Sequence, residues 1–164
     1  QLGIDRLFTS SLARADETSR IIGKILGRSP IILRDLREIE RPENIYGARH
    51  TAPHNLGYKE GWKKALANCD LDWKHEGQGE SLRELLLRVD RLYQQLSNEY
   101  PGEKLVLVGH AVQLAFFGAR VIRGDNATPE NVVLLARHCF LKHGGLAHLH
   151  FENKQWSLIH FDRS

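Results

Sequence analysis

Apolar and polar residues alternate between two rhythms along this chain. Asp5 to Ser10 has an apolar centre, Leu7 and Phe8, and closes on the hydroxyl cluster Thr9, Ser10 and Ser11, which predicts a short strand running into a helix. From Leu12 the apolar or small positions Leu12, Ala15, Ile22, Ile25 and Leu26 recur at helical spacing until Gly27 supplies a stop, and Pro30 to Leu33 reads as a second short strand. Glu40 to Tyr58 shows no sustained period and reads as a long functional loop or lid, with helix resuming near Lys59 to Ala67. Ser81 and Glu84 have the spacing of a capping box. The face Leu82, Leu85, Leu86, Val89, Leu92, Tyr93 and Leu96 makes the next segment the clearest helix.

Glu103 to Gly109 is almost wholly apolar, as expected of a strand covered on both faces in a parallel sheet, and His110 stands at its end before the helical run AVQLAFFGARVI. Thr128 and Pro129 mark a further helix start, and Leu146 to Phe151 with Gln155 to Phe161 predict a terminal hairpin. Strands alternating with helices indicate an α/β fold, three layers αβα around a mostly parallel central sheet, in a single domain over residues 1–164.

Composition narrows the function. With 41% hydrophobic and 26% charged residues the chain suits a folded soluble core. No stretch approaches the roughly 18 apolar residues of a membrane span and no secretory leader is visible, so a cytoplasmic location is expected. A net charge of +3, with basic residues scattered among acids, disfavours nucleic acid as the partner but permits a small anionic substrate. Cys69 and Cys139 lie far apart without a C-x-x-C pair and read as reduced, partly buried thiols. The sequence has no methionine, even at position 1, so translation is expected to begin upstream of Gln1.

In an open α/β sheet, ligands sit beyond the carboxyl ends of the strands. Two such ends carry candidate chemistry. Arg14 falls in the first turn of a helix, where a cation opposes the helix dipole and is best compensated by a bound anion; pairing with Asp16 or Glu17 is the alternative. His110 follows VLVG, where it serves either as a hydrogen-bonded turn residue or, with a pKa near working pH, as a phosphate contact or proton carrier. His148 and His150 share a strand face near His143, and a hairpin face is the stronger account of them. No metal site and no cofactor is expected.

Four blocks in order carry a resemblance: LFTSSLARADETSRIIG, LREIERPENIYG, GQGESLRELLLRV and KLVLVGHAVQLAFFG. They resemble the histidine phosphatase superfamily, which includes the cofactor-dependent phosphoglycerate mutases. The resemblance implies a phosphoglycerate mutase-like fold, Arg14 as a phosphate-binding arginine, Glu38 as the general acid, and His110 as the second histidine, which contacts and neutralises the transferring phosphoryl group. Without it, Glu38 could not be chosen over Glu40 or Glu43. The family's nucleophile lies in an Arg-His-Gly motif on a first strand, and that motif occurs nowhere in this sequence. Arg49-His50 sits in the loop, and Arg137-His138 follows a segment capped as a helix. The nucleophile is therefore expected upstream of Gln1, on a missing strand and helix, with the strand lying between those that lead to Arg14 and His110. Ala111 stands where the family usually has glycine.

The function implied is a phosphomonoesterase that hydrolyses a small phosphorylated metabolite through a phosphohistidine. Mutase activity is disfavoured because the segment from Arg41 to Tyr58 is short and lacks extra basic residues. The alternative is a noncatalytic phosphate-ligand or protein-binding module of the same fold. Arg41, Asn44, Arg49 and His50, with His54, form the expected substrate loop; the sequence does not give the oligomeric state, and a homodimer is suggested by analogy only.

Overall fold

A computed structural model describes residues 3–47, 49, 51–142, 144–152 and 155–161. Its central sheet has three parallel strands in the order β2-β1-β3, namely β1 (Arg6–Thr9), β2 (Pro30–Ile32) and β3 (Leu105–Val108). The helices are α1 (Ala13–Leu26), α2 (Pro53–Asn68), α3 (Leu82–Glu99), α4 (Ala111–Arg123) and α5 (Pro129–Ala136). An antiparallel hairpin of β4 (Ala147–Glu152) and β5 (Gln155–Phe161) completes the described chain.

The period-two alternation of β1 separates the layers. Leu7 packs toward α1, where Gly23 permits close approach: a Cβ at that position would stand 3.3 Å from the Leu7 side chain. Phe8 points the other way, into a core built from Leu82, Leu85, Val89 and Leu92 of α3, Phe116 and Phe117 of α4, and Val132 and Val133 of α5. Trp156 of β5 closes that core against Phe117, their ring centroids 6.3 Å apart, and donates its indole N–H to Ser97 at 2.8 Å.

The terminal signals act where the sequence puts them. Gly27 ends α1 in the left-handed conformation at φ 65°, which costs glycine nothing sterically. Ser81 and Glu84 form a reciprocal capping box on α3, and Thr128 with Asn131 forms one on α5 behind Pro129.

Three expectations need correction. The segment from Glu40 to Tyr58 is not wholly loop: Glu43–Ile45 forms a short 3-10 turn and α2 begins at Pro53, whose missing N–H makes it a natural first-turn residue. All four residues of β3 are only half-buried, so its apolar run is not sealed on both faces; among the described residues no strand pairs with the edge of β3 opposite β1. Nor can a further strand lie between those leading to Arg14 and His110, because β1 and β3 pair directly, from Arg6 opposite Leu105 to Thr9 opposite Val108.

Candidate functional site

That pairing determines the site. Because Thr9 and Val108 lie opposite each other, the next polar residues after the two strands, Ser10 and His110, emerge together at their carboxyl ends. Ser10 Oγ lies 2.6 Å from His110 Nε2, a buried contact between residues a hundred positions apart in sequence. Ser10 is fully buried and His110 is 7% exposed. Ser10 Oγ also accepts the Leu12 N–H at 3.2 Å, which ties it to the entrance of α1. His110 is the N-cap of α4 but makes no side-chain bond to the helix amides, so its ring stays turned to other work.

Glu38 reaches the same place from a different direction. One carboxylate oxygen accepts the N–H of Ile39 at 3.0 Å and that of Gln113, in the first turn of α4, at 3.3 Å. Of its rivals, Glu40 pairs with Arg37 at 3.0 Å and Glu43 is exposed.

Arg14 lies in the first turn of α1, and Asp16 pairs instead with Arg20 at 2.9 Å, so the proposed neutralisation by Asp16 does not occur. The Arg14 guanidinium has no carboxylate partner among the described residues, yet its charge acts on His110. Burial chiefly, then the positive charges of Arg14 and Arg88, hold the imidazole pKa below its usual value, while Glu38 pulls it up. The geometry thus gathers a cation, a half-tethered carboxylate and a buried imidazole at the mouth of the parallel sheet.

The substrate loop is brought in only in part. The Arg41 guanidinium lies over the ring of Tyr58, 5.9 Å from its centroid. Burial pushes the Tyr58 hydroxyl pKa up, with Arg41 lowering it and Glu38 raising it, which puts Tyr58 and Arg41 beside the Glu38 side of the site. Tyr58 leads into an aromatic cluster with Trp73 (6.1 Å), which in turn meets Trp62 (6.4 Å). Asn44 and Arg49 are exposed; the Arg49 carbonyl accepts from Asn55 at 3.2 Å near the start of α2. His50 and His143 lie outside the described residues. His148 and His150 are exposed along β4, and Arg137 caps the end of α5 rather than a strand. Cys69 is half-buried at the left-handed end of α2, and Cys139 is buried.

Sequence reasoning missed two residues. Ser10 was legible only as one hydroxyl among three. Arg88 looked like one more scattered charge, but it shares the buried stripe of α3 with Leu85, Val89 and Leu92. Its guanidinium binds the Glu80 carboxylate through two bonds, at 2.9 and 2.8 Å, and donates to the carbonyls of Asp35 and Arg37, each at 2.8 Å. It therefore holds the backbone immediately ahead of Glu38.

The family follows from comparison with known proteins. The histidine phosphatase superfamily (branch 1) matches residues 1–163, and the chain belongs to that superfamily. Among curated relatives, a protein of Enterobacter sp. (strain 638) named as a probable phosphoglycerate mutase is 31% identical over 113 residues, covering 69% of this chain and 51% of its own length. Phosphoglycerate mutase-like protein 4 of Arabidopsis thaliana is 32% identical over 115 residues, 65% of this chain and 46% of its own length. The chain thus spans about half the length of these relatives.

Among solved structures, the alpha-ribazole phosphatase from Shigella flexneri superposes with a TM-score of 0.74 at 22% identity, covering 96% of this chain and 73% of that one. The mycobacterial glucosyl-3-phosphoglycerate phosphatase in complex with inorganic phosphate gives 0.74 at 19% identity, covering 99% and 79%. At these identities the likeness speaks for the fold.

Proposed function

We propose that this domain carries the acid and anion-binding half of a phosphomonoesterase that hydrolyses a small phosphorylated metabolite through a phosphohistidine. The observation that carries this reading is the convergence of Arg14, Glu38 and the Ser10-bound His110 at the ends of two directly paired strands. The Arg14 guanidinium, unpaired with any carboxylate among the described residues, suits a phosphate oxygen. His110 is a contact for the same phosphoryl group as charge spreads over its oxygens. Glu38 is the general acid for the departing oxygen, with one carboxylate oxygen anchored by backbone amides and the other left for the proton.

The nucleophilic imidazole belongs, in this reading, to a strand outside Gln1–Ser164. The unpaired, half-buried edge of β3 offers such a strand a ladder of backbone groups directly beside His110. Arg41 and Tyr58, beside Glu38, flank the leaving group. The short segment ahead of α2, with few basic residues, favours hydrolysis over a mutase reaction on a bisphosphorylated substrate.

The test is phosphate release from a panel of phosphomonoesters by the protein expressed from its whole gene. Turnover is expected, with Arg14→Ala and His110→Ala each lowering kcat/KM by about 10²–10³-fold while the circular dichroism spectrum is unchanged. No release from any ester, with inorganic phosphate still bound, would instead make the domain a noncatalytic phosphate-ligand module.

A further inference from the structure

We propose that Ser10 is a positioning residue that fixes His110 as the neutral tautomer with its proton on Nδ1, so that the site offers the phosphoryl group an uncharged N–H donor and not an imidazolium. What the donor serves rests on the phosphatase reading above; the tautomer does not.

The hydrogens around Ser10 decide between the tautomers. Ser10 is 0% exposed, so bulk solvent does not reach its hydroxyl. Its oxygen already accepts the Leu12 N–H, and among the described residues the only acceptor bonded to it is His110 Nε2, at 2.6 Å. If Nε2 carried a proton, two hydrogens would meet on this one contact, or the hydroxyl would be a buried donor without an acceptor, an arrangement folded proteins avoid. The consistent assignment has Ser10 O–H donating to Nε2. A neutral imidazole whose Nε2 accepts carries its hydrogen on Nδ1, and an imidazolium cannot accept at all.

The charged groups facing the ring agree. Arg14 from α1 and Arg88 from α3 both oppose a further positive charge, burial does the same, and Glu38 alone favours one. Nδ1 has no protein partner among the described residues, and the ring does not cap its own helix. Its hydrogen is left for a ligand. The positive charge at the site then comes from Arg14, while His110 contributes a directed hydrogen bond whose aim Ser10 holds.

Nitrogen-15 NMR of the histidine rings in the full-length protein near neutral pH tests this, with the His110 signals assigned by their loss in His110→Asn. The expected wild-type spectrum shows Nδ1 protonated and Nε2 bare; Ser10→Ala mixes the two tautomers, and Ser10→Thr, which keeps the hydroxyl, preserves the first. In turnover, Ser10→Ala should lower kcat by about 10–100-fold with KM little changed, and Ser10→Thr should recover most of the loss. Protonated Nε2 or an imidazolium in the wild type, or a tautomer unchanged in Ser10→Ala, overturns the proposal. If the wild type releases no phosphate, the phosphatase reading fails while the spectrum still decides the role of Ser10.

Discussion

Arg88 and Glu80 face each other as a two-pronged ion pair, their side chains 4% and 6% exposed, and the same guanidinium holds the carbonyls of Asp35 and Arg37. Glu80 in turn accepts the Glu40 N–H at 3.1 Å and donates its own N–H to the Glu40 carbonyl at 2.8 Å. The backbone on both sides of Glu38 is thus clamped to the start of α3. In the proposed reaction such support would keep the Glu38 carboxylate in register with the leaving oxygen, where a misplacement of about 1 Å can cost about 10²-fold in rate.

Arg88→Ala should therefore be among the most damaging single changes in the fold. It leaves a buried Glu80 carboxylate without its partner and two carbonyls without donors, a loss of about 3–5 kcal/mol. Urea unfolding of wild type and variant measures it. A change under about 1 kcal/mol would mean that water replaces the guanidinium and that the clamp contributes little.

Gly79 tests the same clamp from its other side. It holds φ at 79°, and a Cβ there would stand 2.9 Å from the Glu40 carbonyl oxygen and 3.1 Å from the Pro42 ring. Gly79→Ala carries both the left-handed strain and a collision with backbone that cannot easily move. Loss of at least about 1 kcal/mol is expected, together with slower turnover as Glu38 is displaced. An alanine variant as stable as wild type would show that this junction can shift without cost.

These contacts also show what the sequence could and could not reveal. The capping box of Ser81, the stop at Gly27 and the hairpin follow from local spacing, because each rests on bonds between near neighbours. Glu38 was legible only through family resemblance: nothing local separates it from Glu40 and Glu43, and its distinguishing partner, the Gln113 amide, lies 75 residues away. Ser10 and Arg88 had weaker signals still. The first acts through a histidine brought alongside by strand order, and the strand order itself was misjudged, since apolar content does not say which strands are neighbours. Arg88 could have been found by asking why a charge sits between Leu85 and Leu92 on an apolar face.

Stability should depend on pH through His110. Its folded pKa lies below the ordinary 6.5, chiefly through burial. Below that ordinary value the unfolded chain takes up a proton that the folded ring resists, so acid favours unfolding. The contribution is complete above about pH 6.5 and is lost progressively as pH falls toward the folded pKa. Urea midpoints measured from pH 7.5 to 5 should decline for the wild type, and His110→Asn should flatten the part of the decline due to this ring. An identical slope in the variant would assign that pH dependence to other groups.

Glu38 offers the sharpest discrimination between chemistry and mere support. If its carboxyl protonates the leaving oxygen, the cost of removing the proton scales with how badly that oxygen needs it. Glu38→Gln keeps the size of the side chain and an oxygen able to accept from the Ile39 and Gln113 amides, so the backbone arrangement survives. Turnover of alkyl phosphates, whose alkoxide is a poor leaving group, should then fall by about 10²–10⁴-fold, while an activated aryl phosphate such as the nitrophenyl ester should lose less than about tenfold. The ratio of the two losses is the measurement, because a general disturbance of the site slows both substrates alike. Equal losses would make Glu38 a structural tether between the β2 side of the sheet and α4, and the acid would have to be sought elsewhere, first at Tyr58, whose hydroxyl feels the Glu38 charge.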